Sequence, residues 1–172
     1  MNKAQVILWI AVAVLSWYGM MAVHEAGHCL GAVATGARIE AVEIPLAGFS
    51  RTDFSGGSCP LLVVWAGPVL GAILPVALLA LLPVVGPRTK HVLFSFVGFC
   101  LLANGAYIGL GALSGAGDCR QLAQYGSPSW TMLAFGGAAS ALGLYAWHRM
   151  GPLRGWFAGT AGSQPPPGCG RS

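Results

Sequence analysis

The chain has 172 residues, of which 55% are hydrophobic and only 8% charged, and its mean hydropathy is +0.68. A soluble domain carries about 25% charged residues, so this composition excludes an ordinary water-soluble enzyme and points to an integral membrane protein. The net charge of +4 comes from nine Lys and Arg scattered along the chain, with no basic stripe, so no nucleic-acid partner is expected.

Residues 4 to 23 carry no charge, follow Lys3 and predict a first membrane helix. A signal peptide shares the basic start and apolar body, but the small-residue cleavage pattern is poor around Met20, Met21 and Ala22. Helical character continues through His24-Glu25-Ala26-Gly27-His28 towards Ala34. Such a helix is about 46 Å long, against a hydrocarbon core of about 30 Å. The motif therefore lies inside the membrane near one face, or just beyond it.

Residues 37 to 59 hold Arg38, Glu40, Glu43, Arg51 and Asp53, with partial alternation and turn residues at Pro45, Gly48, Gly56 and Gly57. They predict a short interfacial β-hairpin or a plain loop. The apolar body from Leu61 to Val85 predicts a second span, interrupted at Gly67-Pro68 and Pro75. After a short basic loop (Arg88, Lys90, His91), residues 92 to 117 predict a third span that contains Asn104 and is closed by Asp118. A fourth runs from Trp130 to Trp147, its two indoles spaced for an aromatic belt. Residues 1–150 thus form one membrane-embedded core, and the Gly/Pro-rich tail 151–172 is expected to be disordered. The fold class is an all-α polytopic membrane protein with about four transmembrane helices. Lys3, Arg88, Lys90, Arg149, Arg154 and Arg171 fall on one side, and Arg38, Arg51 and Arg120 on the other, which favours both termini in the cytoplasm. The five cysteines are odd in number and form no C-x-x-C pair, so neither a disulfide framework nor a four-cysteine zinc site is implied.

The motif that carries chemistry is H-E-x-x-H at residues 24 to 28. Helical residues four apart share a face, so His24 and His28 present two imidazoles to one ion, with the Glu25 carboxylate beside the first. This is the zinc-hydrolase pattern, in which the Glu acts as general base. A catalytic zinc needs a third protein ligand. The extension H-E-x-x-H-x-x-G-x-x-H fails, because Ala34 stands where the third His belongs. Glu40 and Glu43 are candidates in a polar segment where solvated charge is the commoner explanation. Asp118, the sole acid after residue 53, is a further candidate at the edge of an apolar run, with pairing to Arg120 as the bland alternative.

Four features in this order resemble the site-2 protease family of intramembrane zinc metalloproteases. They are His24-Glu25-Ala26-Gly27-His28, Ala66-Gly67-Pro68, Asn104, and Ser114-Gly115-Ala116-Gly117-Asp118, together covering roughly residues 5 to 125. The resemblance implies one Zn2+ per chain held by His24, His28 and Asp118, with Glu25 as the catalytic carboxylate. The chain departs from the family pattern at Gly71, where Asn is frequent, in having no proline between Asn104 and Asp118, and at Cys119, where Gly often follows the Asp. It reads as a compact, divergent member.

The expected function is an intramembrane zinc-dependent endopeptidase acting on a transmembrane segment of another membrane protein, with the lipid bilayer as its surroundings. Asn104 is expected either to hydrogen-bond substrate or to bond between helices. The rival expectation is a non-proteolytic membrane zinc-binding or scaffold protein that keeps the ligands. Glu25 separates the two, since a pure binding site does not need it.

Overall fold

The computed structural model describes residues 3–81 and 87–150. It is mostly helical: α1 (Lys3–Thr35), β1 (Ala37–Glu43), β2 (Arg51–Gly56), α2 (Pro60–Leu81), α3 (Pro87–Ser114), α4 (Asp118–Gln124) and α5 (Ser129–Met150). The tail at 151–172 lies outside the described residues, as does any expectation about it.

Among the described residues, three helical stretches are long and apolar enough to cross a membrane: Val6–Thr35, Pro60–Ala80 and Thr89–Ser114. The expected fourth span is not among them. The helix α5 covers the fourth expected segment, but its Ser, Thr, Gly, His and Arg dilute its apolarity and it does not join that set. Its Trp147 also serves the bundle, donating its indole N–H to the Ser95 carbonyl at 3.1 Å.

The helix α1 runs unbroken through the H-E-x-x-H motif and stops at Gly36, whose φ of 69° suits a residue without a side chain. The Thr35 hydroxyl donates back to the Gly31 carbonyl at 3.0 Å, and the Thr35 carbonyl accepts from the Ser58 backbone N–H at 3.0 Å. The chain then forms the antiparallel hairpin β1–β2, with an irregularity between Ile39 and Ala41 that leaves Glu40 out of the register. The strand alternative is therefore the one realised.

Helix α2 continues through both Pro68 and Pro75. It packs against α1 at small residues. A Cβ on Gly31 would lie 2.8 Å from the Ala66 Cβ, and one on Gly27 would run into the Ala66–Gly67 backbone. Helix α5 packs antiparallel on α3 in the same manner, through Gly105 with Ser140, Gly109 with Gly136, and Gly98 with Trp147.

The third apolar run ends earlier than expected. Helix α3 closes at Ser114, and Gly115 and Gly117, with φ of 65° and 54°, turn the chain. Asp118 therefore opens the separate short helix α4, which the apolar pattern does not announce. Cys119 and Leu122 on α4 enter a core cluster with Val64, Ile108 and Met132. That anchorage ties α4 to α2, α3 and α5 and swings the Asp118 carboxylate towards α1.

Candidate metal centre

His24 and His28 lie one turn apart on α1, and both are buried. The side chain of each is held from outside the motif. The Nδ1–H of His28 donates to the Val63 carbonyl on α2 at 2.9 Å. A carbonyl only accepts, so the proton sits on Nδ1 and leaves Nε2 pointing the other way. His24 is fixed similarly by α3: its Nδ1–H donates to Asn104 Oδ1 at 2.7 Å, and the Asn104 amide donates to the Cys100 carbonyl at 2.9 Å, which sets the orientation of the amide.

Space for the His28 ring comes from Gly67, since any Cβ there would overlap the imidazole. The Ala66-Gly67-Pro68 segment thus contributes an absence of side chain beside a candidate ligand.

The two Nε2 atoms are 3.1 Å apart. Asp118 Oδ2 lies 2.9 Å from Nε2 of His24 and 3.3 Å from Nε2 of His28. Three donor atoms that converge this closely need positive charge between them, as a proton or as a metal ion. Zinc bonds of about 2.0–2.1 Å at tetrahedral angles put neighbouring donors about 3.3 Å apart, within a few tenths of an ångström of this triangle. Two imidazoles and a carboxylate also match a catalytic zinc donor set, which leaves a fourth position open. Among the described residues, these three side chains form the group that could hold a metal ion.

Other candidates are placed elsewhere. Glu43 pairs with Arg51 at 3.1 Å on the exposed side of the hairpin, and Glu40 is exposed at the irregularity. Arg120 donates to the Gly115 carbonyl at 3.4 Å, so the bland pairing of Asp118 with Arg120 is not formed.

Asp118 is further fixed by its backbone N–H, which donates to the Tyr107 hydroxyl at 3.1 Å. The Tyr107 ring meets His24 edge-on at 5.8 Å. Burial pushes the Asp118 carboxyl up, but hydrogen bonds from His24 and His28, when those rings carry Nε2 protons, outweigh it and hold the group below the usual carboxylate range. The neighbouring Cys119 thiol is pushed up to about 11, by burial first and by the Asp118 charge second, and its Sγ–H donates to the Ile108 carbonyl at 3.3 Å. It remains a packed thiol rather than a ligand.

No family model, curated protein or solved structure matches this chain. The site must therefore be read from its own chemistry.

Glu25 is 2% exposed, among the most buried side chains of the protein, and its Oε2 accepts a 2.6 Å hydrogen bond from the Thr52 hydroxyl on β2. Its other oxygen accepts no hydrogen bond among the described residues. Thr52, Tyr107 and Val63 also touch the centre and are not singled out by the sequence motifs, whereas Gly67 belongs to the Ala66-Gly67-Pro68 feature without an assigned role. A signal exists for Tyr107, a polar aromatic in the same apolar run as Asn104. Val63 acts through its carbonyl, which no side-chain pattern encodes. The Asn104 carboxamide is engaged by His24 and Cys100, so it bonds between helices.

Proposed function

We propose that this protein is an intramembrane zinc-dependent endopeptidase of the site-2 protease kind. The observation that carries the reading is the 2.9–3.3 Å triangle of His24, His28 and Asp118 with a buried Glu25 carboxylate in the same helical turn. A metal-storage site needs the triangle alone; a hydrolase also needs the adjacent base.

His24, His28 and Asp118 would hold a Zn2+, which would supply Lewis acidity for the scissile carbonyl and for deprotonation of water. Glu25 takes the proton from the attacking water and delivers it to the departing amide nitrogen. Asn104 and Val63 keep both imidazole Nε2 atoms aimed at the centre throughout, and Tyr107 keeps the Asp118 backbone in place.

The substrate is a transmembrane segment of another membrane protein, locally unwound so that its carbonyls are free. Hairpin edges suit such a strand, because each of the two strands has a backbone edge with no partner among the described strands. The exposed apolar side chains of Ile44, Leu46 and Phe49 at the hairpin's end suit a position at the lipid interface. In this reading α5 completes a four-helix membrane bundle, and both termini face the cytoplasm, the side of Lys3, Lys90 and Arg149.

The decisive comparison is wild type against Glu25→Gln in the same membranes, with zinc content and cleavage of membrane substrates measured together. Equal zinc with cleavage by wild type alone supports the reading. Equal zinc with identical processing overturns it and leaves a membrane zinc-binding protein.

A further inference from the structure

We infer that Thr52 is a positioning residue for Glu25, through which the hairpin sets the direction of the carboxylate; this rests on the proposed hydrolase reading. The starting point is burial. A carboxylate 2% exposed must find donors, since an unpaired one is strongly disfavoured away from water. Among the described residues, the donor is the Thr52 hydroxyl at 2.6 Å, a length typical of a strong O–H···O⁻ bond.

The hairpin is built to deliver that hydroxyl. In β2, alternation sends Arg51 and Asp53 outward, where they approach each other at 3.5 Å, and sends Thr52 and Phe54 inward. Thr52 is the buried position of the strand, and Phe54 packs against the core cluster around Val64 and Ile108. At the hairpin's end the Tyr18 hydroxyl donates to the Leu46 carbonyl at 2.8 Å, and Phe49 meets Trp17 and Tyr107 at ring distances of 6.3 and 5.6 Å. Anchors on both sides therefore hold Thr52 over α1. With Oε2 held by Thr52, the other oxygen of Glu25 accepts no hydrogen bond among the described residues and is the one we assign to the water. A substrate strand bound along the hairpin would act on the same element, so substrate binding and the aim of the base are mechanically joined.

The test uses the full chain in lipid nanodiscs as wild type, Thr52→Val, Thr52→Ala, Thr52→Ser, Glu25→Gln, Glu25→Ala and the double variant Thr52→Val with Glu25→Ala. The two hydroxyl-free variants should keep stoichiometric zinc and a KM within about twofold, while kcat falls at least about tenfold. Thr52→Ser should restore most of kcat. Wild-type kcat in both hydroxyl-free variants, a rise in kcat, or no rescue by serine would overturn the inference. Should wild type cleave no better than Glu25→Gln, the hydrolase reading fails and a second readout decides this contact alone. Hydrogen exchange at the amides of residues 51–56 should then accelerate equally in Thr52→Val and Glu25→Ala, with no further gain in the double variant. Additive acceleration would overturn it.

Discussion

Two helix seams in this protein use the same device for different ends. Along α1–α2, Gly27, Gly31 and Gly67 bring backbones close, and at Gly67 the missing side chain is replaced by the His28 ring. Along α3–α5, Gly105, Gly109 and Gly136 also bring backbones close, but the space is filled by backbone and the Ser140 side chain. Small residues in membrane helices serve packing in general. In the first seam the same choice sets the position of a candidate ligand, so that one glycine borders the candidate site and another the scaffold.

The difference can be tested by substitution. On the proposed zinc reading, Asp118→Ala or His28→Ala should abolish stoichiometric zinc outright, read by metal analysis of purified protein. Gly67→Ala should come next: the added methyl displaces the His28 ring, so zinc content should collapse while the helical circular dichroism signal stays near wild type. Asn104→Ala should weaken zinc affinity by about 10- to 100-fold in competition with a chelator, because the His24 ring loses the partner that fixes its tautomer. Gly136→Ala should lower stability by about 1–3 kcal/mol through overpacking, with zinc affinity of the folded fraction unchanged. Zinc loss in Gly136→Ala equal to that in Gly67→Ala would erase the distinction between the seams. The smallest effect belongs to the exposed Arg51–Glu43 pair, whose removal should change stability by less than about 1 kcal/mol.

Much of the site is legible before the fold is known. The i, i+4 spacing puts His24 and His28 on one face, and helical geometry alone guarantees it. Asp118 stands out because an isolated acid beside an apolar run is costly without a purpose. The short helix that presents it is hidden, since seven residues carry too little periodicity, and its direction comes from Cys119 and Leu122 entering a core assembled by three other helices. Asn104 is visible as a polar residue in an apolar helix, but the group it serves depends on how α3 lies against α1. Thr52 is harder still. In sequence it is one more polar residue in a hairpin, and only tertiary packing sets its hydroxyl on Glu25. The spans show the opposite limit. Hydropathy finds all four long helices, but only α1, α2 and α3 carry stretches apolar enough to cross a membrane among the described residues, whereas α5 is held by close packing on α3.

The length of α1 has a consequence for where hydrolysis could run. Its 33 residues extend about 50 Å, well beyond the roughly 30 Å hydrocarbon layer. If the helix enters that layer upright at Val6, His24 lies about 27 Å further on, close to the opposite boundary. Depth then becomes a control variable. A thicker membrane would draw the centre under the lipid surface and slow the arrival of water; a thinner one, or a steeper tilt, would lift or lower it by a few ångströms. On the proposed hydrolase reading, the same polypeptide would thus turn over at different rates in bilayers that differ only in acyl-chain length.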